Sequence, residues 1–292
     1  MRPLPDSPAP RLSHTDTRRA LARRVADAHL GIDDASLLAL VSGSVVDDIT
    51  DARSDVDMSV VLRELPEPAV LEAACQHGGG TRWNWTLGSL EEGLVVSFKL
   101  EGIEIQIAYA THALLQSQLN EVLVAHNPDT PLHKLAEGLL KAEGLIGVPA
   151  LQALQARLAA FPPALGRAMV EHGLKTATPW RAISQIIVRD TPLWCRELQV
   201  DASYRLLLML CGLNSRYFTR FQVKRVSRLA DKLVHVPAAL APRIESMLAA
   251  PPAEAFVQLH ALEGEVLALV AARMPEVDLA PALQRRQDFN PG

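Results

Sequence analysis

The sequence predicts an α+β protein: a mixed sheet with flanking helices, followed by an all-helical region. Three observations carry this. Short β-branched runs with strand-like alternation are confined to the residues before about Tyr109. From Thr111 onward Ala and Leu dominate and apolar residues recur at helical spacing. Prolines such as Pro131, Pro149, Pro162 and Pro192 fall mostly between those helical segments, where they start or stop helices. The expected organisation is a disordered tail over 1–13, a sheet-bearing domain over 14–125 and a helical domain over 126–292.

Taken in order, Thr15-Asp16-Thr17 caps an Arg- and Ala-rich amphipathic helix running to about Leu30. Residues 37–41 (LLALV) form a continuous apolar run suited to a buried strand, and Gly43-Ser44 ends it. A polar stretch over 47–54 leads into residues 56–62, whose even positions are apolar, as in a half-buried strand. Residues 67–77 suit a helix stopped by Gly78-Gly79-Gly80. Strands follow at 81–87, 94–100 and 103–109, the last two joined by a Glu101-Gly102 hairpin turn. Helical periods then run over 111–125, 132–144, 150–160, 180–190, 201–212, 222–235, 239–249 and 254–273, with no fixed repeat.

Bulk properties narrow the function classes. The 292 residues are 49% hydrophobic and 21% charged, a globular balance. A net charge of -4 gives no global positive field for nonspecific nucleic-acid binding. Cys75, Cys195 and Cys211 are scattered, which argues against a disulfide framework or a structural zinc site and for the reducing cytoplasm. The longest compact apolar run, near 206–213, is too short to span a bilayer, so no membrane partner is expected.

The chemistry-bearing feature is Asp55-Val56-Asp57. On a strand both carboxylates share one face, where they repel unless a cation lies between them. Hard divalent ions such as Mg²⁺ suit these oxygens and carry substrate phosphates with them. Phosphatases and glycosyltransferases that use such a pair place it at the end of a hydrophobic strand; here the hydrophobic run comes after it. Gly43-Ser44, directly after a buried strand, permits close backbone approach to a phosphate and offers a hydroxyl to its oxygens. Alone, the Gly-Ser pair reads as an ordinary loop and the Asp pair equally as solvated caps. Their combination and spacing are informative.

Residues 40–44 (LVSGS) followed by 54–61 (SDVDMSVV) resemble the signature of the polymerase-β-type nucleotidyltransferase superfamily, which includes bacterial antibiotic nucleotidyltransferases. A second segment, 213–218 (LNSRYF) with Lys224, is similar to one in bacterial relatives that carry a helical C-terminal domain. The resemblance implies a Mg²⁺-dependent, ATP-binding transferase that uses two Mg²⁺ ions to move a nucleoside monophosphate, AMP first, from an NTP to a hydroxyl. Asp55, Asp57 and a third carboxylate would be the catalytic and metal-binding residues. Gly43, Ser44, Asn214, Tyr217 and Lys224 would bind the nucleotide. The third position falls on Glu104 or on its same-face neighbour Gln106; Gln106 there would leave a neutral ligand. The acceptor is a small-molecule hydroxyl, an RNA end or a protein. The rival is a degenerate nucleotide-binding or interaction protein of the same fold.

Several features carry bland readings beside functional ones. Arg216, Arg220, Lys224, Arg228 and Lys232 recur at i, i+4 and predict a basic helical stripe, either a solvated face or a phosphate or RNA surface. Trp83 and Trp85 suit packing better than base stacking. His112, His126, His133 and His172 have no metal-ligand spacing.

Overall fold

The computed structural model describes residues 13–175, 178–189, 191–220, 223 and 225–290, without the side chains of Arg82 and Trp85. The tail expected over 1–13 thus lies outside the described residues except for Ser13, and so does Lys224. Ser13 caps the first helix, α1 (His14–Asp27), accepting from the Asp16 amide, two residues earlier than the cap expected at Thr15.

The chain then runs through β1 (Leu38–Ser42), β2 (Val56–Leu62), α2 (Pro68–His77), β3 (Arg82–Ser89), β4 (Gly93–Leu100) and β5 (Ile103–Thr111). α3 (His112–Leu123) and α4 (Leu132–Lys141) follow, then β6 (Glu143–Ile146) and α5 (Val148–Ala159). The six strands form one mixed sheet in the order β3-β4-β5-β2-β1-β6. β2 and β5 pair in parallel, and every other neighbouring pair is antiparallel.

Alternation sorts the sheet into two faces. Ala39, Val41, Val56, Met58, Val60, Val96, Phe98, Ile105, Ile107 and Tyr109 form one face. They pack in a core with Leu21, Ala22, Val25 and Ala26 of α1 and with Leu71 and Cys75 of α2. Within this core the Tyr109 hydroxyl stands 2.7 Å from His29 Nε2 and 3.3 Å from Cys75 Sγ, while His29 Nδ1 lies 2.7 Å from the Val25 carbonyl. Burial lowers the His29 pKa and pushes the Cys75 thiol up to about 11, favouring the uncharged form of each. The opposite face carries Asp57, Ser97, Glu104 and Gln106.

β6 is a correction to the sequence reading, which ended the sheet near Tyr109 and ran a helix through 132–144. α4 stops at Lys141, and Glu143–Ile146 pairs with β1. Accordingly the described residues of Met1–Gln118 form one compact unit with Gly138–Ala159, so the region from 126 onward is not wholly helical.

The second unit comprises Leu119–Glu137 and the described residues from Ala160 on. Its helices are α6 (Pro163–Lys175), α7 (Ile183–Val188), α8 (Pro192–Leu213), α9 (Val226–Ala230), α10 (Leu240–Ala249), α11 (Pro252–Arg273) and α12 (Ala280–Gln287). α6 and α8 cross at two glycines: a Cβ on Gly166 would meet the Gly212 carbonyl at 2.8 Å, and one on Gly212 would meet that of Gly166 at 2.6 Å. No larger residue allows this approach. α11 is long and apolar enough to cross a membrane by length and composition. Its Phe256, Leu259, Leu262, Val266 and Val270 are buried in this unit, and it packs against α8 and α10.

The basic stripe is also corrected. α8 ends at Leu213, Ser215 has φ 53°, and the described residues from 214 to 225 are not helical, so the cations from Arg216 to Lys232 share no continuous helix. Arg220 pairs with Asp201 at 3.1 Å and lies over the Tyr204 ring.

Candidate active site

Asp55 and Asp57 sit at the start of β2, with Val56 between them fully buried. The segment before them is held locally. Asp51 accepts from the Arg53 amide at 2.8 Å and the Ser54 hydroxyl at 3.1 Å, bonds that keep its carboxyl below its usual range. Arg18 of α1, only 2% exposed, donates from Nε and Nη2 to the Ser54 carbonyl at 2.8 and 2.7 Å, and from Nη1 to that of His14 at 3.1 Å. A buried guanidinium thus fixes the main chain one residue before Asp55.

Gly43 closes the site from β1. Ser42 pairs with Asp57, and the turn that follows gives Gly43 a φ of +67°. A Cβ on Gly43 would collide with Asp57 Oδ2. Only glycine lets the turn and the carboxylate stand this close. Beside it Ser44 Oγ is buried with no hydrogen-bond partner among the described residues, an unusual state for a hydroxyl.

The register across β2 and β5 bears on the third carboxylate. Asp57 pairs with Gln106 and Val56 with Ile105, so Glu104 lies one pleat further along the same face. Glu104 is already engaged. Its Oε1 accepts from Ser97 Oγ at 2.6 Å and Gln106 Nε2 at 3.5 Å, and its Oε2 lies 3.7 Å from Lys99 Nζ. Asn84 Nδ2 donates in turn to Ser97 Oγ at 3.3 Å. Gln106 Nε2 also donates to Asp55 Oδ2 at 3.1 Å, so one neutral amide links two of the three proposed carboxylates. Among the described residues no three His, Cys, Asp or Glu side chains are grouped so as to hold an ion.

The donors therefore fit a divalent cation in part. Two carboxylates on one strand face, a turn that only glycine allows beside one of them, and an orphaned hydroxyl suit a cation carrying a phosphate. Glu104, tied to Ser97, Gln106 and Lys99, does not join them as the structure stands. Arg18, Ser97, Asn84 and Lys99 carry no signal in the sequence, because only cross-strand register or helix packing brings them here.

The other nucleotide-binding candidates belong to the second unit and have structural work of their own. Asn214 follows the last turn of α8. Its Nδ2 donates to the carbonyls of Leu210 (2.8 Å) and His235 (2.9 Å), and its Oδ1 accepts from the amides of Val234 and His235, both at 2.8 Å. Tyr217 is 5% exposed, with its ring against His133 and Phe161. Trp83 stacks on Phe98 and donates to Thr86 Oγ1 at 2.7 Å, which is packing.

No family model matches the chain, and no curated protein matches it. Among solved structures it is similar to a nucleotidyltransferase-like protein from Exiguobacterium sibiricum, at 13% identity and a TM-score of 0.39, over 91% of this chain and 81% of that one. A score of this size establishes neither a shared fold nor a shared activity.

Proposed function

We propose that the chain is a nucleotidyltransferase that moves a nucleoside monophosphate, AMP first, from an NTP to a hydroxyl acceptor. One observation carries this reading: Gly43, whose absent side chain leaves room for the Asp57 carboxylate, stands beside an orphaned Ser44 hydroxyl. The turn suits a phosphate and the carboxylate pair suits a cation, and the two adjoin at one point. Asp55 and Asp57 would hold Mg²⁺, which when bound neutralises phosphate charge and orients the triphosphate. Gly43 and Ser44 would offer the main chain and a hydroxyl to its oxygens. The acceptor oxygen attacks the α-phosphorus, the bond to the β-phosphate oxygen breaks, and pyrophosphate leaves. The acceptor's proton goes to a carboxylate or to water. Glu104 is within reach of that role only if it gives up Lys99 or Ser97.

A second reading has its own observation. Gln106, not a carboxylate, faces Asp57 across the sheet and donates to Asp55. This favours a protein that binds an NTP without turning it over.

One experiment separates the two. The protein is incubated with each labelled NTP, Mg²⁺ and a panel of hydroxyl acceptors, and pyrophosphate release and nucleotide binding are both measured. Release abolished by Asp57→Ala supports the transferase. Binding without release supports the second reading, and absence of both overturns each of them.

A further inference from the structure

The proposed transfer leaves one buried cation without a role. Arg18 of α1 is 2% exposed, yet among the described residues it forms no ion pair. Its hydrogen bonds go to main-chain carbonyls. Nε and Nη2 converge on that of Ser54 at 2.8 and 2.7 Å, and Nη1 reaches that of His14 at 3.1 Å. A guanidinium keeps its proton inside a protein, and burying a charge without an opposite charge is costly. Two charged donors converging on one carbonyl hold it in place more firmly than a single neutral bond does.

That carbonyl is the last one before Asp55. The same end of α1 also holds the start of this segment, where Thr15 Oγ1 and Thr50 Oγ1 stand 2.7 Å apart. Between these points the Asp51 amide donates to Ser54 Oγ at 2.9 Å, and the Asp51 carboxylate accepts from the Arg53 amide at 2.8 Å. Residues 50–54 are thus tied to one helix at both ends and closed on themselves between. The Asp55 carboxylate has far less support. Among the described residues its hydrogen-bond partner is the neutral Gln106 amide, 3.1 Å from Oδ2, and no cation pairs with it. Its place depends mainly on the main chain from which it projects, and that chain is anchored at Ser54.

We propose that Arg18 is a positioning residue for Asp55: through the Ser54 carbonyl it sets where the Asp55 carboxylate stands on the sheet face it shares with Asp57. It acts through the main chain and not by its charge. The consequence for cation binding rests on the reading of Asp55 and Asp57 as a Mg²⁺ site; the positioning of Asp55 does not.

Two measurements on the full chain test this. The first follows the Gln106 side-chain amide by nuclear magnetic resonance, assigned through Gln106→Ala, with no metal present. Arg18→Met moves its resonances towards those seen in Asp55→Ala. Arg18→Lys, which keeps the charge but cannot fork onto one carbonyl, moves them in the same direction and serves alone if Arg18→Met does not fold. Val25→Ala, a core truncation further along α1, leaves them in place. The second measurement is Mn²⁺ binding by electron paramagnetic resonance, with Mn²⁺ standing in for Mg²⁺. Both Arg18 variants weaken it about tenfold or more, as for loss of a group that orients a metal ligand. A role confined to charge gives the opposite sign, because removing a nearby cation would tighten binding in Arg18→Met. A parent chain that binds no Mn²⁺ overturns the cation reading alone, and the Gln106 resonances then decide the positioning. The proposal is overturned if those resonances stay with the parent's in every folded Arg18 variant, if Val25→Ala moves them as far, or if Arg18→Met binds Mn²⁺ as tightly as the parent or more tightly.

Discussion

The Gln106 side chain donates to Asp55 at 3.1 Å, although its main-chain partner across the sheet is Asp57. Between carboxylates that would otherwise repel, the amide supplies the positive end of a dipole that a cation would supply more strongly. Gln106→Glu puts a third carboxylate at the register of Asp57. The expected outcome is a protein less stable without metal but more strongly stabilised by added Mg²⁺, read as a larger rise in unfolding temperature on Mg²⁺ titration than the parent shows. No increase would mean that the carboxylate pair is not a cation site.

Gly43→Ala sets a Cβ against Asp57 and strains a backbone at φ +67°. Unfolding in urea should show a loss of about 1–3 kcal/mol. Nucleotide binding should fall along with it if the turn receives phosphate.

Arg18→Met keeps much of the side-chain volume and removes three hydrogen bonds to main-chain carbonyls. With charged donors lost and the buried core position of Arg18 left without its polar anchor, the expected destabilisation is about 1–3 kcal/mol. Denaturant midpoints check it; a change below half a kcal/mol would show that the Ser54 segment is held by other means.

Asn214→Ala should act on stability and leave nucleotide affinity unchanged. Four hydrogen bonds from one side chain close the end of α8 onto Val234 and His235. Loss of such a cap costs about 1–3 kcal/mol. Weaker nucleotide binding in a variant that still melts like the parent would restore Asn214 to the role its sequence context suggests.

Acid should destabilise the protein in two separate windows. Burial lowers the pKa of His29 and of His133 from 6.5, so the unfolded chain takes up protons first. Their contribution is present above pH 6.5 and is lost as pH falls from there towards the folded values. Asp33 and Asp51 have lowered pKa values, so their contribution begins to fall only near 3.8, the ordinary value. The urea midpoint should therefore already drop between pH 7 and 5, and His29→Gln should reduce that drop.

How much of this was legible in the sequence depends on the range of the physics. β2 could be read from the alternation at residues 56–62, and the facing of Asp55 and Asp57 follows from the pleat alone. β6 could not: four residues directly after a helix have too little periodicity to separate them from its continuation. The basic series after Leu213 has good helical spacing, but Asn214 bonds back to the helix end and Ser215 turns left-handed, so a local stop overrides the pattern. Whether Glu104 or Gln106 faces Asp57 was undecidable from one strand, because register belongs to a pair of strands. The cluster around Glu263 draws on α6, Trp180, α8, α11 and α12 and leaves no local trace.

The late strand β6 has a consequence for how this protein can be made or cut. β1 lies between β2 and β6, and Leu38, Ala39 and Leu40 are fully or almost fully buried. Until residue 146 has left the ribosome, the outer edge of β1 presents unpaired amides and carbonyls in an apolar run, a template for aggregation. A fragment ending at residue 125 would keep that edge permanently bare. The smallest soluble piece bearing Asp55 and Asp57 should therefore extend through α5, and nascent chains stalled between residues 62 and 146 are those most in need of a chaperone.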